Sequence, residues 1–272
     1  MARPPEPPSY DAVFLSPHFD DVALSCGGTA ALAAPAGRAL VVTVFAGQPN
    51  ADLSDFARFQ HQRWGTDDGA VELRRQEDAA AMAVLGVDYR WWAFPDAIYR
   101  GTQYLSDEDL FGEVKPGDAA LVQAVATAVA ALCQEVRPRQ LYVPLAVGGH
   151  VDHRACLAAI GTLGQSAPSV RAYEDFPYVL QDPEFPHAPI PRAVTTAAAT
   201  VPWARRVTPI CQDITDVLDQ RLAAIRAYSS QVPTIFRHVP DWELRLREYA
   251  AGLGPSPGRF AERFWTLQSA AT

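Results

Sequence analysis

Apolar positions in the first two thirds of the chain alternate between two kinds of segment. Val13-Phe14-Leu15, Leu40 to Phe45 and Gln140 to Leu145 are short, largely unbroken runs rich in β-branched and bulky residues. They have the length and content of strands buried on both faces of a parallel sheet. Tyr89 to Phe94 and Ser169 to Tyr173 read as two further strands. Segments of helical period lie between them: Gly27-Gly28 opens an alanine-rich helix to about Ala34, broken by Pro35 and Gly37. A second helix runs from Val71 to Leu85 with Gly86 as its C-cap, a third from Ala119 to Val136 behind a capping Asp118, and a fourth from Asp152 to Leu163. Strand and helix in alternation predict an α/β fold, a Rossmann-like, doubly wound and mainly parallel sheet with right-handed crossovers.

Beyond Glu174 the rhythm changes. Phe176 to Pro191 is proline-rich and irregular, Ala193 to Pro202 reads as extended, Asp213 to Tyr228 and Asp241 to Ala250 as helices, and Phe260 to Trp265 as an aromatic finish. The expected organisation is a disordered Pro-rich tail over 1–9 and one domain over 10–272. Its core spans 10–175, and a C-terminal α+β extension over 176–272 walls the site. Two long connections, 47–68 and 95–116, are of a length usually kept for function.

The 272 residues, 49% apolar and 20% charged, suit one large α/β domain. A net charge of −8 argues against nucleic-acid or anionic-membrane binding through a broad basic surface, while leaving room for a local anion pocket. Met1 to Pro8 lacks the basic and apolar regions of a signal peptide, and the apolar stretch Ala119 to Cys133 is too short to span a bilayer. Cys26, Cys133, Cys156 and Cys211 form no Cys-x-x-Cys pair and read as reduced core or near-core thiols of a cytoplasmic protein. Homo-oligomerisation is left open.

Chemistry concentrates behind two of the strands. Ser16-Pro17-His18-Phe19-Asp20-Asp21 follows the first, and Gly148-Gly149-His150-Val151-Asp152-His153 follows the fourth. Three of the chain's six histidines fall in these stretches. If both strands share one parallel sheet, the clusters meet at its carboxyl edge, where open α/β folds hold their active sites. Adjacent Asp20 and Asp21 diverge, so one can coordinate a cation while the other faces a water. His153 can complete a His-Asp-His site with an open position. His150 is then near enough to stabilise an oxyanion or protonate a leaving amine, with Asp152 hydrogen-bonded to it and raising its pKa. The plain structural alternative makes Ser16 or Asp20 a helix cap with His18 a loop residue, and Asp152 a helix N-cap with two solvent-facing histidines.

These residues, with Gly27-Gly28, resemble the LmbE-like or PIG-L deacetylases, zinc enzymes that remove acetyl groups from N-acetylglucosamine-containing substrates. Arg74-x-x-Glu77 with Leu85-Gly86, Val42 to Gly47, and Tyr228-Ser229-Ser230-Gln231 are similar to further family segments, so the resemblance covers most of the chain. It implies that His18, Asp21 and His153 bind Zn2+ (another divalent metal such as Fe2+ being open). It also implies that Asp20 is the general base and His150 the acid or oxyanion donor, and that Arg74 and Asp96 hold the sugar. The implied partner is a small N-acetylated amino sugar. Phe19 and Val22 depart from the family's His-Pro-Asp-Asp-Glu pattern, and Gly148 stands where some members carry a tyrosine, whose contact would have to come from Tyr173 or Tyr178. Asp96 to Arg100, Tyr173 to Tyr178 and Tyr228 to Gln231 look closer to deacetylases of glycopeptide-antibiotic pseudoaglycones. Three rival readings are an amidase on a thiol conjugate or other acylated amine, a two-metal phosphoesterase, and a nucleotide-binding module using Gly27-Gly28. Trp91, Trp92, Phe94 and Tyr99 are candidates for stacking on a sugar.

Overall fold

The computed structural model describes residues 10–49, 52–66, 69–164, 168–185 and 187–269; the tail expected to be disordered lies outside them. Five strands pair in parallel: β1 (Ala12–Ser16), β2 (Ala39–Thr43), β3 (Asp88–Trp91), β4 (Gln140–Pro144) and β5 (Ser169–Tyr173). With β6 (Arg206–Asp213) and β7 (Ala261–Gln268) they form one seven-stranded sheet in the order β3-β2-β1-β4-β5-β7-β6. β7 runs antiparallel to β5, and β6 antiparallel to β7. The chain leaves β1 toward β2 and β3 on one side and returns to β4 on the other. A crevice opens at the carboxyl ends of strands where the order reverses in this way, here between β1 and β4.

The helices are α1 (Asp21–Gly37), α2 (Asp55–Arg63), α3 (Ala70–Leu85), α4 (Asp107–Leu110) and α5 (Ala119–Val136), then α6 (Val151–Gly161), α7 (Arg192–Thr200), α8 (Leu218–Arg226), α9 (Val232–Ile235) and α10 (Trp242–Gly252). α1 is two helices joined at a break, Cys26 having φ −148°. Gly27-Gly28 therefore open its second half, as expected, while the first half already starts at Asp21. Glu262 of β7 caps that second half, accepting the N–H groups of Gly28 (2.9 Å) and Thr29 (2.8 Å). A buried carboxylate suits a helix N-terminus, and Arg221 of α8, 3.1 Å away, balances its charge. Pro35 does not end α1, which runs on to Gly37.

Several expectations fail for physical reasons. Ala193 to Pro202 is not extended but forms α7: Pro191 sets its entry, alanines favour helix, and Val194 and Ala197 bury a stripe. Residues 206–213, all but Asp213 unassigned from sequence, form an edge strand, where Pro209 is tolerated. The 47–68 connection contains α2, capped by Ser54. Asp118 caps no helix with its side chain; it accepts from Arg100, Gln103 and Tyr104 instead. Asp213 ends β6, so α8 starts only at Leu218, behind a 3-10 turn. The length argument against a span also fails. With its leading turn, α5 makes Pro116–Val136 a helix of 21 residues with hydropathy 1.6, sufficient by length and composition to cross a membrane. Here its Val125, Val129, Leu132 and Val136 are buried in the main core, and the helix packs beside α6. Cys26 and Cys156 are buried, but Cys211 is exposed on β6.

Candidate active site

Both histidine–carboxylate stretches lie at the β1/β4 crevice. After β1 a tight turn forms: the Ser16 hydroxyl donates to the His18 carbonyl (2.5 Å) and accepts the Val22 N–H (3.1 Å). Asp21 Oδ2 accepts the His18 N–H at 2.7 Å. After β4, Ala146, Gly148 and Gly149 all adopt positive φ (63°, 83° and 79°), turning the chain into α6. His18, His150 and His153 are thereby brought together, one nitrogen of each lying within 4.8 Å of the others.

Asp21 Oδ2 lies 3.4 Å from His18 Nδ1 and 3.3 Å from His153 Nε2. Ligands about 2.0–2.2 Å from a tetrahedrally bound cation are roughly 3.3–3.6 Å apart, so Asp21 Oδ2 has a suitable spacing from each of the two imidazole nitrogens. The far nitrogen of each imidazole meets a carboxylate: His18 Nε2 meets Asp152 Oδ2 at 2.9 Å, and His153 Nδ1 meets Asp175 Oδ1 at 2.7 Å. That arrangement fixes the tautomer and raises the basicity of a metal-ligating histidine. Burial opposes charging either ring, yet Asp96, Asp152 and Asp21 raise His18 well above its ordinary pKa, and Asp21 with Asp175 raises His153 to about 10. Burial likewise opposes ionising Asp21, but His153 and His18 hold it well below the usual carboxylate range. A donor set this hungry for positive charge fits a divalent cation.

Asp152 departs from its expected role. Its carboxylate binds His18, the Ala97 N–H (3.1 Å) and the Arg100 guanidinium, not His150. Its backbone N–H donates to His150 Nδ1 at 3.2 Å, making His150 the N-cap of α6. Burial and the neighbouring His18 push His150 well below its ordinary pKa rather than above it. The ring is thus neutral, with Nδ1 as acceptor and the proton on Nε2.

Asp20 lines the cavity, and its pKa is raised by burial and Asp21 against the pull of Arg74. Arg74, stacked 4.7 Å over Trp64 and 5.1 Å over Phe19, approaches Asp96 Oδ2 at 3.7 Å, and its Nε is buried without a hydrogen-bond partner. Asp96 Oδ2 is also 3.7 Å from His18 Nε2. All eight residues singled out from the sequence therefore surround one crevice. The cavity over it, about 490 Å3, is lined further by Trp64, Asp107, Phe111, Tyr178 and Arg237.

Residues 13–162 match the PIG-L family, described as GlcNAc-PI de-N-acetylase. A 2'-N-acetylparomamine deacetylase of Streptomyces fradiae is 32% identical over 268 residues, spanning 93% of this chain and 88% of that protein. The chain belongs to the PIG-L family. A second 2'-N-acetylparomamine deacetylase, from Niallia circulans, is 33% identical over 64% of this chain and 69% of its own. The zinc-inhibited form of teicoplanin deacetylase Orf2 superposes with a TM-score of 0.80 at 29% identity, covering 95% of this chain and 98% of its own. The A40926 pseudoaglycone deacetylase Dbv21 does so at 0.75 and 26% identity, covering 96% and 98%. The protein is an amide hydrolase of the deacetylase kind, and the histidine–aspartate cluster together with a relative known in a zinc-inhibited form points to a divalent metal.

Within this PIG-L chain, Gly148 explains the missing tyrosine. A Cβ there would lie 2.7–2.8 Å from Tyr178 ring and Cβ atoms, so Tyr178 fills that space. Tyr173 cannot serve the cavity, because its hydroxyl donates to the Leu15 carbonyl at 2.8 Å. Trp64, Phe111 and Tyr178 line the cavity in place of Trp91, Trp92, Phe94 and Tyr99. Asp175 and Arg100 were given no role from the sequence. Each lies in a segment noted only for its likeness to the pseudoaglycone deacetylases, Tyr173 to Tyr178 directly after β5 and Asp96 to Arg100 inside the long 95–116 connection.

Proposed function

We propose that this protein hydrolyses the acetamide of an N-acetylated amino sugar, with His18, Asp21 and His153 holding one Zn2+, or Fe2+ at the same donors. The observation that carries the reading is the spacing of Asp21 Oδ2 from His18 Nδ1 and His153 Nε2 (3.4 and 3.3 Å), with a carboxylate behind each imidazole. When bound, the cation supplies Lewis acidity to the acetyl carbonyl and the attacking water. Asp20, the buried carboxylate with no part in that ligand set, takes a proton from the water. Its raised pKa suits it to hold that proton and return it to the departing nitrogen as the C–N bond breaks. His150 donates Nε2–H to the carbonyl oxygen as negative charge develops there. Asp152 acts through His18 and does not reach the reacting atoms. Arg74 and Asp96 grip the sugar: both line the cavity, the guanidinium offering donors and the carboxylate an acceptor at one wall. Acetate and a free amine leave.

The cavity volume exceeds what a single sugar ring needs, which favours a substrate with a second ring or an aglycone. 2'-N-acetylparomamine and the A40926 pseudoaglycone, the substrates named for the relatives, are the first to try. Against a two-metal phosphoesterase, both further donor groups among the described residues, His18-His150-His153 and His18-Asp96-Asp152, reuse His18, and Asp152 is already committed to Arg100.

Acetate release from a panel of N-acetylated amino sugars, run beside metal analysis, tests the reading. Asp20→Asn is expected to keep one metal per chain and lose about 10²–10⁴-fold in kcat, the range typical of a proton-transfer group; His153→Ala is expected to lose the metal. A fully active Asp20→Asn rejects the base. Two metals per chain, with turnover of phosphate esters, would favour the phosphoesterase.

A further inference from the structure

Asp78 of α3 is completely buried, and the chemistry just described leaves it without a task. Its Oδ2 accepts the Trp91 indole N–H at 2.6 Å, and its Oδ1 lies 2.7 Å from the Tyr228 hydroxyl. The same hydroxyl lies 2.7 Å from the backbone carbonyl of Phe19, the residue before Asp20. A phenol has one proton and can donate it fully to only one of two oxygens. The Phe19 carbonyl has no proton to give. Both short contacts are satisfied together only if the remaining proton belongs to Asp78.

We infer that Asp78 is a neutral carboxylic acid and a positioning residue for the proposed base. Its Oδ1–H donates to Tyr228, Tyr228 donates to the Phe19 carbonyl, and the peptide between His18 and Asp20 is thereby held in place. A neutral carboxyl has one carbonyl oxygen and one hydroxyl, and the surroundings match: the indole N–H meets the first and the phenol oxygen the second. Loss of the proton would turn the Tyr228 hydroxyl toward the new carboxylate and leave the Phe19 carbonyl without its donor. Asp20 follows directly in the chain.

The surroundings favour the neutral form. Burial raises Asp78 to about 7, the charge of Asp20 adds to this, and the Trp91 and Tyr228 hydrogen bonds with the charge of Arg74 oppose it. Of the other charged neighbours, Glu77 is turned away toward Ser229 and Ser230, and Arg75 lies over the Trp91 ring and donates to the Ala46 carbonyl. The sign follows: below that pKa the relay is intact, and as pH rises through it the hold on Phe19 is lost.

The inference rests on Asp20 being the base, and two measurements keep the two ideas apart. The first needs no substrate. In the metal-loaded enzyme, the infrared difference between wild type and Asp78→Asn at pH 6 is expected to contain the C=O stretch of a neutral carboxylic acid, fading as pH rises past 7. A carboxylate signature at pH 6 overturns the inference, whatever Asp20 does. The second is kinetic. Asp78→Ala is expected to lower kcat about tenfold or more with KM little changed. Asp78→Asn, which keeps a donor toward Tyr228 and an acceptor toward Trp91, is expected to recover most of that loss and to lack the alkaline decline of the wild type. Equal kcat in all three proteins, or the same alkaline decline in Asp78→Asn, also overturns it. Should Asp20→Asn prove active while the infrared band is present, the neutral Asp78 stands and the base must be reassigned.

Discussion

Asp152 and Asp175 perform one task for two different imidazoles, and only one of them was legible. Asp152 sits inside a His-x-Asp-His pattern that draws attention, yet its partner is His18, 134 residues away, rather than the neighbouring His150. A local pattern suggests local pairing, whereas the side chain follows the cross-strand geometry of β1 and β4. Asp175 comes after a strand with no histidine nearby in sequence, and it reaches His153 only because β5 lies beside β4. If Asp175 orients a ligand, Asp175→Asn should weaken metal binding by about 10–100-fold, the usual effect of removing such a partner, read by competition against a chromogenic chelator. Unchanged affinity would mean that His153 is held by packing alone. The sign of the His150 shift was likewise beyond sequence: burial and His18 outweigh a carboxylate that faces elsewhere.

Among the elements, the parallel strands and the helices between them were readable because each carries its own period and its own stops; Gly86, at φ 73°, ends α3 as expected. The misreadings cluster after Glu174, where segments are short and tertiary partners decide. Residues 192–200 are helical because one face meets the core, and 206–213 is a strand because β7 offers an edge. The α1 break is a similar case. Its second half begins beneath Glu262, and a Cβ on Gly28 would lie 2.9 Å from Ile214 atoms and 3.0 Å from Glu262 Oε1. Gly28→Ala should therefore destabilise the fold by about 1–3 kcal/mol, as overpacking does, seen as a lower urea midpoint with an unchanged slope. A variant of wild-type stability would show that Ile214 can give way.

For the molecule as a whole, the proposed ligands come from two elements that only the sheet holds together, the turn after β1 and the start of α6. A cation bound to them would bind the folded chain and scarcely the unfolded one. Its removal should lower the melting temperature by several degrees, since free metal at about 100 times Kd adds roughly 2.7 kcal/mol. Differential scanning calorimetry with and without a chelator checks this. A melting temperature indifferent to chelator and to added Zn2+ would speak against a cation at these residues.

The amino-acid order alone determined the strand–helix alternation, the two histidine–carboxylate stretches and hence the kind of chemistry, because hydrophobic period and residue type are local properties. Which carboxylate serves which imidazole, that Tyr178 fills the space beside Gly148, and that Tyr228 links Asp78 to the peptide before Asp20 were decided by the tertiary structure. Those relations depend on distances between residues remote along the chain, and such distances exist only once the sheet has set β1, β4 and β5 side by side.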